Sequence, residues 1–297
     1  MCVTCGCSDG AETTITHPHT GQVEAIAAHS AEHTHVLPDG TIISHSHHHN
    51  YDHDHSHDHK QHGTLPTSTP VAKLHAQVHG TTLTLEQNIL AKNDLLAAQN
   101  RGWFKGRHIL ALNLVSSPGA GKTTLLIRTI RELQHQVPIS VIEGDQATAN
   151  DANRIRETGC NVVQINTGTG CHLEAAMVER GLQELNPPLN SIVMIENVGN
   201  LVCPALFDLG ERAKVVILSV TEGEDKPIKY PHMFRASQVM ILTKIDLLPY
   251  VQFDVDRCLG YARQVNPHLQ IFQVSATTGT GLNAWYDWLC SLLNKDI

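Results

Sequence analysis

The stretch SSPGAGKTT at residues 116–124 decides the fold through what stands on either side of it. Before it runs HILALNLVS (108–116), an apolar segment of the kind that forms a parallel strand buried on both faces. After it the pattern turns amphipathic, and a helix is predicted to begin at Lys122. Strand, glycine loop and helix in that order make a phosphate-binding loop. Gly119, Ala120 and Gly121 let backbone N–H groups curl around phosphate oxygens at a helix N-terminus. Lys122 is placed to neutralise the β- and γ-phosphates and Thr123 to hold Mg²⁺, with Thr124 completing the turn. Ser116 stands where the pattern G-x-x-x-x-G-K-[ST] has its first glycine.

Six further β-rich runs follow: ISVIEG (139–144), NVVQINT (161–167), SIVMIEN (191–197), KVVILSV (214–220), QVMILTK (238–244) and LQIFQVS (269–275). Helical stretches of about 10–15 residues fit between most of them, which predicts βαβ units. The expected fold class is α/β, a doubly wound and mostly parallel sheet of the P-loop NTPase kind, with ligands at the carboxyl ends of the strands. Thr84-x-x-Gln87 reads as a capping box that opens a helix over 85–99, so the nucleotide-binding domain is expected to span 84–297.

The strand ends supply the rest of a nucleotide site. TKID (243–246) and SAT (275–277) resemble the base-reading loops of GTPases. Asp246 would accept hydrogen bonds from N1 and N2 of guanine, a donor pair adenine lacks. Lys244 would lay its aliphatic stem on the base, and Ala276, after Ser275, would offer its N–H to the guanine oxygen. Thr243 replaces the commoner asparagine. In ENVGN (196–200), Glu196 is placed to reach Mg²⁺ through water and Gly199 to touch the γ-phosphate. In EGDQATAND (143–151), Asp145 is the candidate to bind Mg²⁺ or orient the attacking water; a helix cap is its other possible role, and Asp151 is a rival for the same task.

NTGTGCHLEAA places Cys171 and His172 after the third strand, and Cys203 lies four residues beyond Gly199. All three emerge at the edge that carries the nucleotide, and thiolates with an imidazole suit Zn²⁺ or Ni²⁺. The alternative is two small buried cysteines and a histidine cap. Cys160, Cys258 and Cys290 have no Cys or His neighbour and read as ordinary buried thiols.

Residues 1–62 differ in composition and read as a disordered Cys/His-rich metal-binding extension. Residues 1–62 hold 14 of the 21 histidines, eight acidic residues and one lysine, so they carry about seven of the eight net negative charges. The remainder is near neutral, which gives no electrostatic case for nucleic acid. No run approaches a membrane span and no signal peptide is evident, so the chain reads as cytoplasmic, with reduced cysteines. The run SHSHHHNYDHDHSHDHKQH (44–62) has almost nothing apolar to bury and is expected to be disordered without metal, and 63–83 reads as a linker. MCVTCGC (1–7) brings Cys2, Cys5 and Cys7 together. With Met1 removed, the Cys2 amine and three sulfurs would suit square-planar Ni²⁺, the metal itself ordering the loop.

Taken in order, SSPGAGKTT, EGDQATAND, TGTGCH, IENVGNLVCP, VTEGEDKP and TKIDLLP resemble the HypB family, GTPases that assist nickel insertion into [NiFe]-hydrogenase. The leading cysteine motif is similar to one found in some members. The resemblance implies a fold of the signal-recognition and nitrogenase-iron-protein branch of P-loop proteins, and homodimers promoted by GTP or metal. It implies a metal site at Cys171, His172 and Cys203 and a lysine, here Lys226, that contacts nucleotide across the dimer. It further implies two partners, a HypA-type nickel/zinc accessory protein and the hydrogenase large-subunit precursor. Two other functions remain open in the sequence: nickel storage regulated by nucleotide, and a urease-accessory GTPase.

Overall fold

The computed structural model describes residues 14–16, 23–25, 33–36, 42–45, 71–146 and 150–295, the side chains of 33–36, 42–45, 71–86 and 294–295 excepted. The described residues divide into two compact units. One holds β3 (His33–Val36) and β4 (Ile42–His45), an antiparallel hairpin, with the first part of helix α1 (Val71–Gly106) up to residue 86. The other holds β1 (Thr14–Thr16), β2 (Val23–Ala25) and everything from residue 87 onward.

In this larger unit the chain alternates as expected. The elements are β5 (Leu110–Ser116), α2 (Lys122–Leu133), β6 (Ile139–Asp145), α3 (Asn150–Arg156), β7 (Asn161–Asn166), α4 (Ala175–Leu185) and β8 (Ile192–Glu196). Then come β9 (Ala213–Ser219), α5 (Lys226–Lys229), α6 (Pro231–Ala236), β10 (Val239–Thr243), α7 (Val255–Val265), β11 (Gln270–Gln273) and α8 (Leu282–Lys295). The sheet order is β11-β10-β9-β5-β8-β6-β7-β1-β2, with β5 to β11 parallel and β1 antiparallel to β7. Strands β6, β7 and β8 build to one side of β5 and β9, β10 and β11 to the other. The order therefore reverses at β5, and a crevice opens beyond its carboxyl end.

Period-two alternation along β5 explains the layers. Leu110, Leu112 and Leu114 enter a core with α2 and α8, where Trp285 and Leu289 are buried. Ala111 faces the opposite side with Ile142, Ile165 and the α4 residues Val178 and Leu182. Asn113 interrupts that second face and is fully buried.

Two expectations need correction. Helix α1 begins at Val71, so Thr84-x-x-Gln87 lies inside it and 71–83 is helix rather than linker. Pro70 stands just before the first helical residue, and the Ala-, Leu-, Lys- and Gln-containing run behind it favours helix. The N-terminal region also contributes structure: Ile15 pairs with Ile165 and is buried, so Thr14–Thr16 covers the edge that β7 would otherwise expose. Cys2, Cys5 and Cys7 and the histidine run from residue 46 lie outside the described residues. Among the described residues no helix is long and apolar enough to cross a membrane.

Candidate functional site

The loop after β5 closes on two left-handed glycines, Gly119 at φ 76° and Gly121 at φ 91°. A side chain would be strained at either. Gly121 caps α2, which starts at Lys122. A cavity of about 510 Å³ opens above this turn, lined by 116–124 together with Glu143, Gly144, Asp145, Gln146, Asp151, Arg154, Glu196, Val198, Gly199 and Lys244. The ends of β5, β6 and β8 thus meet there, with Lys244 arriving from β10.

Within the cavity the Glu196 carboxylate is the hub. Its Oε1 accepts from Thr123 Oγ1 at 2.6 Å and from Lys122 Nζ at 3.1 Å. Its Oε2 is buried without a hydrogen-bond partner among the described residues, as is Glu143 Oε2. Burial, reinforced by the charges of Glu196 and Asp145, pushes the Glu143 carboxyl up to about 9. Glu143 opens EGDQATAND, but the motif points to Asp145 and gives the glutamate before it no role. Its signal was a carboxylate placed two residues before Asp145 in an otherwise apolar strand. Asp145 ends β6, and α3 is described from Asn150 onward. Asp151 pairs with Arg154 at 3.0 Å.

Gly199 packs on the loop: a Cβ there would sit 3.1 Å from Pro118 Cγ. Thr243 is buried and donates to Ala120 O at 2.6 Å, tying β10 to the loop. Lys244, at φ 59°, donates to Gly119 O at 2.8 Å. Asp246 follows in a 3-10 turn over Ile245–Tyr250. Ser275 is buried, and its N–H donates to Thr280 O at 2.9 Å to close the loop that carries Ala276. Asp246, Ser275 and Ala276 stand at the ends of neighbouring strands but do not line the cavity. Lys226 Nζ lies 3.5 Å from Ser117 Oγ of the phosphate loop in the same chain and 3.5 Å from Glu222.

A second cluster sits on the same edge. The ligand atoms of Cys171, His172 and Cys203 lie within 4.8 Å of one another, and all three residues are buried. Among the described residues neither cysteine is in a disulfide. Cys171 Sγ is 3.6 Å from His172 Nδ1, and the His172 ring stacks on Phe207 with centroids 3.9 Å apart. Among the described residues His172 Nε2 is buried without a hydrogen bond, with Glu174 Oε1 at 3.7 Å, beyond hydrogen-bonding distance. Glu174, not His172, occupies the cap of α4. Burial pushes the Cys160 and Cys258 thiols up to about 12, which keeps both protonated.

Two arms hold this cluster. Leu173 is fully buried and rests against β6 where only a glycine fits, since a Cβ on Gly144 would lie 2.8 Å from Leu173 Cγ. Its N–H donates to Asn197 Oδ1 at 3.1 Å. On the other arm, Cys203 opens a short 3-10 turn, Cys203–Ala205. The buried Lys214 Nζ donates to Pro204 O at 2.7 Å and Phe207 O at 3.0 Å. Burial pushes the Glu211 carboxyl up and the neighbouring Lys214 ammonium down.

The CobW/HypB/UreG nucleotide-binding domain family matches residues 110–273, the span from β5 to β11. The hydrogenase maturation factor HypB of Escherichia coli K12 is 47% identical over 292 residues, covering 97% of this chain and 98% of that one. The chain belongs to the HypB family. The HypB of Rhizobium leguminosarum bv. viciae is 59% identical over 207 residues, 70% of this chain and 69% of that one. Among solved structures, HypB from Helicobacter pylori in complex with nickel matches with a TM-score of 0.65 and 35% identity, covering 69% of this chain and 96% of that one. This HypB-family chain is therefore a nucleotide-binding hydrogenase maturation factor with the P-loop NTPase fold expected from its sequence.

Proposed function

We propose that the chain hydrolyses GTP to GDP and phosphate in the cytoplasm and uses that cycle to hold and release Ni²⁺ during [NiFe]-hydrogenase maturation. The observation that carries this reading is the shared edge: Leu173, next to the buried cysteine–histidine cluster, rests on Gly144, which lines the phosphate-loop cavity.

In this reading the backbone of 119–124 cradles the phosphates, Lys122 neutralises their charge, and the Gly199 N–H meets the γ-phosphate. Asp246 reads guanine, Lys244 covers its face, and Ser275 supports the loop that presents the Ala276 N–H. Thr243 locks these strands to the loop. Lys226 reaches nucleotide across a homodimer promoted by GTP or metal.

Thr123, Asp145 and Glu196 would hold Mg²⁺. The fit rests on hard oxygen donors and on the unpartnered buried oxygen of Glu196. Bound there, Mg²⁺ would supply positive charge against the phosphate oxygens. Glu196 keeps Lys122 and Thr123 aimed into the cavity until the nucleotide arrives, and Asp145 orients the attacking water.

The metal cargo is Ni²⁺ or Zn²⁺ at Cys171, His172 and Cys203. Three ligands from one chain leave a position open for transfer or for a second subunit. Cys2, Cys5 and Cys7 form a separate nickel-loading motif, and the histidine run holds further ions. A HypA-type nickel/zinc protein and the hydrogenase large-subunit precursor are the partners.

The test is paired. GTP turnover with Mg²⁺ should be lost in Lys122→Ala, and nickel bound per chain should fall in Cys203→Ser, with hydrogenase maturation impaired in cells carrying either variant. A wild-type chain without GTP turnover, or with nickel binding unchanged in Cys203→Ser and in Cys2→Ala, would overturn the reading.

A further inference from the structure

A continuous set of buried polar side chains joins the end of β8 to both arms of the cysteine–histidine cluster. Asn197 immediately follows Glu196 and is 1% exposed. Its Oδ1 accepts from Leu173 N–H at 3.1 Å and from Val198 N–H at 3.0 Å. Its Nδ2 donates to Asn113 Oδ1 at 3.2 Å, and Asn113 Nδ2 donates to Glu211 Oε1 at 3.1 Å. Glu211 Oε2 takes the Leu209 N–H at 2.7 Å, and Glu211 Oε1 lies 3.8 Å from Lys214 Nζ. Lys214 in turn grips the carbonyl of Pro204, inside the turn that begins with Cys203, and that of Phe207, just beyond it.

Nothing in strand packing requires this arrangement. Asn113 lies in an inward position of the central strand, flanked by apolar residues, and its buried amide is satisfied by Asn197 and Glu211. A buried polar network in which each donor has its acceptor fixes relative positions more tightly than apolar contact does, because each member moved alone leaves a partner unsatisfied. The network has one end on the strand that delivers Glu196 and the other on the segments that deliver Cys171, His172 and Cys203. Phe207 closes it by stacking on His172.

We propose that Asn197 is the positioning residue that transmits displacement of the Glu196 strand end to both arms of the cluster, with Asn113, Glu211 and Lys214 forming the branch to Cys203. The direct branch is the Leu173 N–H, one residue from His172. A shift at Asn197 that alters both branches changes the spread of the three ligand atoms, and so the affinity for a thiophilic divalent cation. The proposal rests on the reading that nucleotide and metal occupy these two sites.

The experiment uses the full chain carrying Cys2→Ala, with Zn²⁺ as probe. Its dissociation constant is measured by competition with a chromophoric chelator in the presence of GDP and then of a non-hydrolysable GTP analogue. The parent should show a ratio of about fivefold or more between the two states. Asn197→Ala and the equal-volume Asn197→Asp should both bring that ratio to within about twofold of unity. In the latter, the amide donor to Asn113 Oδ1 is gone, and Asn113 cannot donate to the new carboxylate without releasing Glu211. Lys214→Met, at the far end, tests the Cys203 branch if Asn197→Ala does not fold, and should also reduce the ratio. Variants that weaken Zn²⁺ equally in both nucleotide states, leaving the ratio intact, would show a structural role only and overturn the assignment of Asn197. A parent ratio of one would instead show that the two sites are uncoupled, overturning that part of the functional reading and the relay with it.

Discussion

Thr123 Oγ1 donates to Glu196 Oε1 across 2.6 Å, so the second residue of α2 and the last residue of β8 share one carboxylate oxygen with Lys122. The three groups expected to surround a magnesium nucleotide hold one another in place while Glu196 Oε2 stays without a partner among the described residues. Glu196→Gln keeps the shape but removes the charge. Its GTP turnover with Mg²⁺ should fall about 100-fold or more, while GDP affinity without Mg²⁺ changes little. Turnover numbers and GDP titrations with and without Mg²⁺ check this, and an unchanged turnover number would exclude Glu196 from the reaction.

Glu143 gives a pH dependence with a definite sign. Its folded-state value of about 9 lies above the ordinary 4.5, mainly through burial and then through the charges of Glu196 and Asp145. The folded chain holds a proton there that the unfolded chain releases above about pH 4.5. The group's favourable contribution is complete below that value and is lost as pH rises toward about 9, on the order of 1 kcal/mol per pH unit at most. Glu143→Gln cannot release a proton, so its unfolding midpoint in urea should fall less than that of the parent between about pH 6 and 9. Parallel curves for the two proteins would mean that Glu143 is ionised in the folded state.

The strands and the phosphate loop were legible because a parallel strand covered on both faces reads as an unbroken apolar run, and because the loop chemistry is local. The linear motifs likewise marked Lys122, Glu196, Cys171, His172 and Cys203. Asn113, Lys214 and Glu143 were not legible, since each is a single polar residue in an apolar run and its meaning comes from partners far along the chain. Asn113 is 98 residues from Glu211. The start of α1 was misplaced because a capping-box pattern also fits inside a helix. Thr14–Thr16 was passed over because three residues carry no period, and only the edge of β7 gives them a reason to be a strand.

Two glycine substitutions should have opposite signs. An added Cβ on Gly144 would lie 2.8–2.9 Å from three carbons of the fully buried Leu173, whereas one on Gly102, on the exposed face of α1, meets nothing within 4 Å. Gly144→Ala should destabilise the protein by about 1–3 kcal/mol and weaken Zn²⁺ binding at the cluster beside Leu173. Gly102→Ala should stabilise it by about 0.5–1 kcal/mol and leave Zn²⁺ binding unchanged. Urea unfolding and chelator competition on both variants decide the matter. Equal stability in the two would show that Leu173 has room to move.

In the proposed reading the base specificity rests on Asp246, which the turn after β10 carries beyond the described cavity. A carboxylate can accept from both N1 and N2 of guanine, and each such charge-assisted hydrogen bond is worth about 1.5–3 kcal/mol. Asp246→Asn replaces one acceptor oxygen with an N–H₂ donor. It should weaken GTP by about 100-fold and favour xanthosine triphosphate, which carries an oxygen where guanine has its 2-amino group. The exchange requires the turn to stay in place. Its frame is independent of the Asp246 side chain: the Ile245 N–H donates to Val274 O at 3.3 Å and the Leu247 N–H to Lys244 O at 2.9 Å. Competition of GTP, ATP and xanthosine triphosphate against a fluorescent GDP analogue measures the switch. Asp246→Asn binding GTP as well as the parent does would place guanine recognition elsewhere on the β10 and β11 ends.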